Sequence, residues 1–501
     1  MRTQHYDAVF LGTRTPTLLT AAYLARNGLR VLVLGQGTSE PTSKVGEVEL
    51  PRNPTMRLAL GSPATRHLLD AIGVTPSLKR RASIAPIAIP LRLPSRSLDL
   101  ERDEALRART IAREFPEARR AMAAFERRCR LAREAFDAYV DHGGTLQGRG
   151  FRATRALRKL ERDAVFGGDP LHFDPADELR REPLLVEALE LVAAFHSGRV
   201  PPASGFGLAL AYERALEGAI RIEGGEGWLR RTIVDRIEAY GGDVRPRISA
   251  DRILLEGKAV SGLRLRTSHE EIGASAVISG IPAGRLLEIL PEPVEDSPTA
   301  ALLRAPRPAF ARHLLHVAIA QEGVPRGLEA ELFLLPPGSR RALLGLHLTR
   351  TAESGGLVWF TVESLVPIAD DDPAELRARV LGALREVFHF ADEHLRYVHS
   401  PNDAHGVTDA RTGEVVWSAD PSVELSPMET RDDLPRRGAA GLLGLPTELP
   451  VDGLLLANGQ CLPELGVEGE LLAGLEASRR LLEKSGTARF SRLAPFRSRR
   501  W

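Results

Sequence analysis

The chain opens on a short apolar run, Tyr6 to Gly12 (YDAVFLG), then places apolar residues at helical spacing from Thr15 to Asn27 (TPTLLTAAYLARN). The run predicts a buried strand and the spacing a helix. Pro16 sits near the helix start, where a missing N–H costs least, and Gly28 ends the helix. Arg30 to Gly35 (RVLVLG) predicts a second strand. Strand, tight turn, helix, glycine and strand within about 30 residues form a βαβ unit of the dinucleotide-binding kind. From Leu100 to Val140 the pattern is helical and rich in Arg, Glu and Ala, and helical patterns continue through 151–197. Gly227 to Tyr240 predicts an amphipathic helix ended by Gly241-Gly242. Short strands are predicted at Arg252–Leu255, Ala259–Arg266 and Ala274–Ser279, and strands of a mixed sheet at 311–320, 330–336, 342–349 and 357–366. Asp372 reads as the N-cap and Pro373 as the first residue of a helix reaching about Phe388. Leu454–Ala457 predicts a last buried strand, followed by a glycine-containing turn and a helix over Glu470–Glu483.

Composition narrows this picture. A chain of 501 residues exceeds one ordinary core and implies two or more domains. With 43% hydrophobic and 27% charged residues it is globular rather than disordered. The net charge of +1 argues against nucleic acid as the main partner, which usually requires a clear basic excess. Cys129 and Cys461 are far apart and in no metal-ligand spacing, so a reducing compartment is expected and a disulfide framework is not. The first residues enter a strand at once without a signal-peptide pattern, and no run approaches the roughly 18 apolar residues of a membrane span. The expectation is a cytoplasmic protein, with peripheral membrane contact left open.

Several further pieces follow in a definite order. Glu223-Gly224-Gly225-Glu226-Gly227-Trp228-Leu229 leads into the predicted helix and then Gly241-Gly242-Asp243-Val244. Ile253 to Leu255, Val260-Ser261-Gly262-Leu263 and Ala276-Val277-Ile278-Ser279 come next. Gly453 to Gly459 (GLLLANG) and Leu465-Gly466-Val467-Glu468-Gly469 stand near the end. Together with the βαβ start, this order resembles the phytoene desaturase branch of the FAD-dependent amine oxidoreductase superfamily. The resemblance runs from Tyr6 to Leu482 and is loosest over about 300–445. It implies an α/β fold in which a Rossmann-like FAD/NAD(P)-binding domain (1–75, 215–300 and 446–484) carries an inserted helical and mixed-sheet substrate domain (76–214 and 301–445). A basic tail, 485–501, follows. It also implies FAD as cofactor and a long apolar substrate such as a polyene, with the flavin doing the redox chemistry and the protein orienting it.

The cofactor positions implied by the resemblance are Gly12, Arg14, Gly35, Gln36, Ala250, Asn458, Gly459, Gly466, Val467 and Gly469. Gly12, Ala250, Gly466 and Gly469 are kept, while the phosphate and sugar contacts are substituted at Arg14, Thr17, Gly35 and Gly459. The G-x-G-x-x-G positions, which supply a tight turn, close approach to pyrophosphate and close helix packing, read Gly12, Arg14 and Thr17. The acid expected after the second strand, on the ribose hydroxyls, is Gly35, with Gln36 or Glu40 nearby. The C-terminal Gly-Asp pair reads Asn458-Gly459, and Glu464, Glu468 and Glu470 crowd a helix start that would otherwise favour a phosphate. Each lost charged partner costs about 1.5–3 kcal/mol. Two lost acids would weaken the cofactor by roughly two to four decades.

Two functions from different classes follow: a degenerate member acting as a binding or scaffold protein, and a working flavoenzyme in which Arg14, Gln36 and Asn458 replace the usual contacts. An empty pocket re-used for another apolar ligand is a third. No catalytic side chain and no metal site is assigned. A protein partner or an anionic surface at the basic tail (Arg489, Arg492, Arg497, Arg499 and Arg500, with Phe490, Phe496 and Trp501) is a further option. If the flavin site is abandoned, Arg14 should fill the pyrophosphate space and pair with Glu464, Glu468 or another acid nearby.

Overall fold

The computed structural model describes residues 5–484 except 38–40, 149–150, 166–173, 200–202, 292–293, 295–296, 325–327, 329–330, 337–344, 369–371, 388–390, 418–424, 436 and 439–440. Glu40 and the basic tail thus lie outside the described residues.

The opening pattern folds as strand β1 (Ala8–Leu11), a helix and strand β2 (Val31–Leu34), with every strand residue buried. β3 (Asp243–Arg245), β4 (Val277–Ser279) and β5 (Leu454–Leu456) complete a parallel sheet in the order β3-β2-β1-β4-β5. Phe10 is paired with Val33 on one side and Ile278 on the other. Both faces are covered, which is why β1 and β2 read as continuous apolar runs rather than alternations. The five strands come from three stretches far apart in sequence.

Seven helices matter below. They are α1 (Thr15–Arg26), α2 (Arg119–Asp141), α3 (Phe151–Val165), α4 (Pro183–His196), α5 (Gly205–Ala215), α6 (Gly225–Ala239) and α7 (Gly466–Lys484). α1 packs between α6 and α7 beneath the parallel sheet. α2 packs on α3 and α5.

The second layer is a large mixed sheet. Its long antiparallel strands are Arg307–Ala320, Leu346–Ser354 and Leu357–Pro367. The predicted helical stretch from Leu100 begins too early. Leu100 ends a hairpin, Ile87–Leu93 with Arg96–Glu101, whose alternation and Pro94-Ser95 turn are strand signals. Helix starts at Glu104, where Asp103 accepts a cap bond from the Leu106 N–H at 2.9 Å, and is interrupted at Pro116. The expected strand Ala274–Ser279 divides: Ala274 belongs to a separate four-stranded sheet, and Val277–Ser279 to the parallel one. Between the two layers lies a cavity of about 1090 Å³. No helix among the described residues is long and apolar enough to cross a membrane.

Candidate functional site

At the first turn, the Gly12 N–H donates to Leu34 O at 2.8 Å and the chain turns with φ +100°. Arg14 then precedes α1 in an extended conformation and makes no side-chain cap. Its guanidinium donates from Nη2 to Glu470 Oε1 at 3.0 Å and from Nη1 to Glu429 Oε2 at 3.1 Å. The side chain is 44% exposed, which moderates the strength of both pairs. The Glu470 carboxylate raises the guanidinium pKa further. Arg14 therefore pairs with Glu470 and Glu429, not with Glu464 or Glu468. The first helical residue, Thr15, donates to Glu226 Oε1 at 2.9 Å. The helix start is thus faced by a carboxylate. The close packing that a third glycine would provide is moved to the opposite wall. A Cβ on Gly280 would meet Thr17 Oγ1 at 2.2 Å.

Gly35, the position implied for the ribose acid, is backed by backbone. A Cβ at Gly35 would lie 1.7 Å from the Pro246 carbonyl oxygen, so no acid can stand there. Gln36, held at φ +56°, turns its amide onto Ala250. Its Nε2 donates to Ala250 O at 2.7 Å, and the Ala250 N–H donates to its Oε1 at 2.8 Å. A primary amide offers a donor and an acceptor side by side, as an adenine edge does. The resemblance implies that the Ala250 backbone faces the adenine, and both of its polar groups are satisfied by the chain itself.

The C-terminal motif is likewise turned inward. Asn458 is buried, donating from Nδ2 to Ile281 O at 2.7 Å and accepting the Gln460 N–H at 3.0 Å. Gly459 faces Glu470. Gly466, with φ +52°, lies so close to the end of α4 that a Cβ would meet His196 O at 2.1 Å. Val467 packs on the core, and Gly469 abuts Leu462 O. The three acids are also committed. Glu464 contacts Arg199 at 3.3 Å and accepts the Ser204 N–H. Glu468 takes a fork of two bonds from Arg214, at 2.8 and 2.9 Å. Glu470 takes Arg14, and burial raises its carboxyl despite that partner. Burial likewise pushes the Cys461 thiol up to about 12 and leaves it inert.

Sequence reading missed a largely buried belt of charges where the mixed sheet meets the layer built on the parallel sheet. Sheet register lays it out: Glu429 is opposite Arg312, and Glu363 is opposite His347. Arg312 pairs with Glu363, whose Oε1 also accepts the Thr55 N–H at 2.7 Å. His347 Nε2 lies 2.9 Å from Glu331, which accepts Arg57 Nη2 at 2.7 Å. Arg431 and Arg14 meet on Glu429, the former at 3.0 Å. Arg14, Arg57, Arg312 and Arg431 thus balance Glu331, Glu363, Glu429 and Glu470. Burial pushes Glu331 upward, but Arg57 and His347 overcome it and hold the carboxyl at about 2. Glu429, buried against Arg431, Arg14 and Arg312, is held at about 2 as well. His196, kept neutral by burial at about 3, donates from Nδ1 to Val192 O and accepts Arg57 Nη1 at 3.2 Å. A signal was present in the sequence: Glu363 interrupts a largely apolar strand (LVWFTVESLVP).

The cavity borders this belt. Arg57, His196 and Glu331 line it together with Arg214, Glu217 and Glu468, while Leu58, Leu210 and Ile220 give apolar patches. Among the described residues no cluster of His, Cys, Asp and Glu is arranged to hold a metal ion.

No protein-family model matches the chain, and no curated protein matches it in sequence. Solved structures do match in shape. An oxidoreductase from Methanosarcina mazei aligns over 94% of this chain and 99% of its own, with a TM-score of 0.56 and 15% identity. Putrescine oxidase bound to putrescine aligns over 96% and 100%, with a TM-score of 0.56 and 14% identity. Cyclohexylamine oxidase from Brevibacterium oxydans aligns over 96% and 99%, with a TM-score of 0.51 and 16% identity. At such identities the likeness establishes the fold: this chain has the Rossmann-based architecture of FAD-dependent amine oxidoreductases.

Proposed function

We propose that this chain is a non-redox protein built on the FAD-dependent amine oxidoreductase fold, serving as a binding or scaffold protein rather than as a flavoenzyme. One observation carries the reading. The Gln36 amide holds both backbone polar groups of Ala250, at 2.7 and 2.8 Å, so an adenine would have to break two bonds before making any. Gly35 backed by Pro246 and Arg14 bridging Glu429 and Glu470 support it. The residues present do not fit a dinucleotide, and no catalytic step is routed through one. The cavity is a candidate ligand site. Its volume is that of a small-molecule pocket. Its walls carry charge on most sides, which suits a ligand with polar groups better than a bare polyene. The test is flavin content. Protein purified from an overexpressing host and then denatured should release no flavin fluorescence. Near-stoichiometric FAD in the supernatant would sink the proposal.

The size of the cavity favours a second reading, a working FAD-dependent desaturase or oxidase acting on a long apolar substrate. That reading requires Arg14 to leave both glutamates and Gln36 to release Ala250. It predicts a yellow protein with flavin bands that bleach on addition of a reducing substrate.

A further inference from the structure

We infer that the outer face of α3 is a docking surface for anionic lipid bilayers. α3 (FRATRALRKLERDAV) carries five cations and two carboxylates in a chain of net charge +1. Position decides what that excess does. Phe151, Arg155, Arg158, Lys159 and Arg162 follow one another at i, i+4, i+7, i+8 and i+11, which places them on one stripe of the helix. All five are exposed, Phe151 at 80%, more than any other large hydrophobic side chain among the described residues. The opposite face is anchored: Leu160 is buried in the main core and Leu157 packs against it. None of the four cations on the stripe has a carboxylate partner among the described residues, whereas Arg128, Arg133 and Arg180 nearby in sequence do.

Four unpaired cations on one stripe would suit a nucleic acid, an acidic protein or an anionic membrane. Phe151 separates these. It stands one turn before Arg155 on the same stripe, an exposed apolar ring at the end of a charged row. Lipid headgroups would meet the cations while the ring enters the acyl boundary. A surface phosphate array offers the ring nothing comparable.

The test is co-sedimentation of the full chain with vesicles of phosphatidylcholine alone and of phosphatidylcholine mixed with phosphatidylserine. Binding to the mixed vesicles only, falling with added salt, is expected. Each cation near an anionic surface is worth roughly fivefold in partitioning, so R155Q/R158Q/K159Q/R162Q should lose on the order of 10²–10³-fold. Phe151→Ser should lose roughly tenfold without changing the salt dependence. A variant with Arg489, Arg492, Arg497, Arg499 and Arg500 changed to Gln should retain binding. The inference fails if wild type ignores both vesicle types, if it binds them equally, or if the tail variant loses binding while the helix variant keeps it. It also fails if the chain binds single-stranded RNA but not phosphatidylserine vesicles.

Discussion

Replacing Glu363 by Gln probes the charge belt at its most buried point. The Glu363 side chain is fully buried and that of Arg312 is 6% exposed. Gln keeps a carbonyl for the Thr55 N–H but removes the charge facing Arg312, whose other carboxylate, Glu429, is 4.0 Å away and already shared. Breaking one member of a buried pair costs about 3–5 kcal/mol, because the remaining charge stays desolvated. Unfolding entropy scales with chain length, so for 501 residues this amounts to roughly 3–5 °C in melting temperature. Arg312→Met in the same chain removes the stranded cation. Glu429 keeps Arg14 and Arg431, so the double variant should return to within about 1 kcal/mol of wild type. Thermal melts of wild type, the two single variants and the double variant give the coupling energy. A negligible loss in Glu363→Gln, or a double variant no better than the worse single one, would refute the view that these charges are a mutually compensated structural belt.

Restoring the acid after β2 should not restore a cofactor site. Gly35→Glu places a Cβ against the Pro246 carbonyl and should destabilise by at least about 3 kcal/mol, read by urea midpoint, with no gain in FAD uptake. Acid should unfold the protein through the belt. Glu331 and Glu429 sit at about 2 in the folded state against an ordinary 4.5, so each contributes stability that is complete above about pH 4.5 and lost as pH falls toward 2. That is on the order of 3 kcal/mol apiece, less than additive within one network. Glu470, raised by burial, runs the opposite way. Urea midpoints across this range should fall steeply, and a flat profile would contradict the assignment. Cys129 and Cys461, both buried with raised thiol pKa values, should stay unlabelled by a thiol reagent until denaturant exposes both.

The nucleotide layer was legible because its signals are local. Tyr6 to Gly35 carries strand, cap, helix and strand within one stretch, and strands buried on both faces announce themselves as apolar runs. The substitutions at Arg14, Gly35 and Asn458 were equally visible. The contacts these residues make were not, because they depend on partners distant in sequence. Gln36 reaches Ala250 across 214 positions, Arg57 reaches Glu331 across 274, and Arg14 reaches Glu470 across 456. No periodicity encodes those meetings; sheet register and helix packing create them. The hairpin Ile87–Glu101 was missed for a different reason. Its strand alternation runs directly into the Arg- and Glu-rich helix that follows, and the helical composition masked it.

The most direct measurement is a fluorescence titration of FAD into the purified wild-type chain. If Gln36, Arg14 and the Gly35–Pro246 contact have closed the site, FAD emission should rise in proportion to added FAD, with no saturable quenching up to about 100 µM, consistent with a loss of several decades in affinity. Saturable, one-to-one quenching at low micromolar FAD would contradict the account and show that the chain opens its own contacts to admit the cofactor.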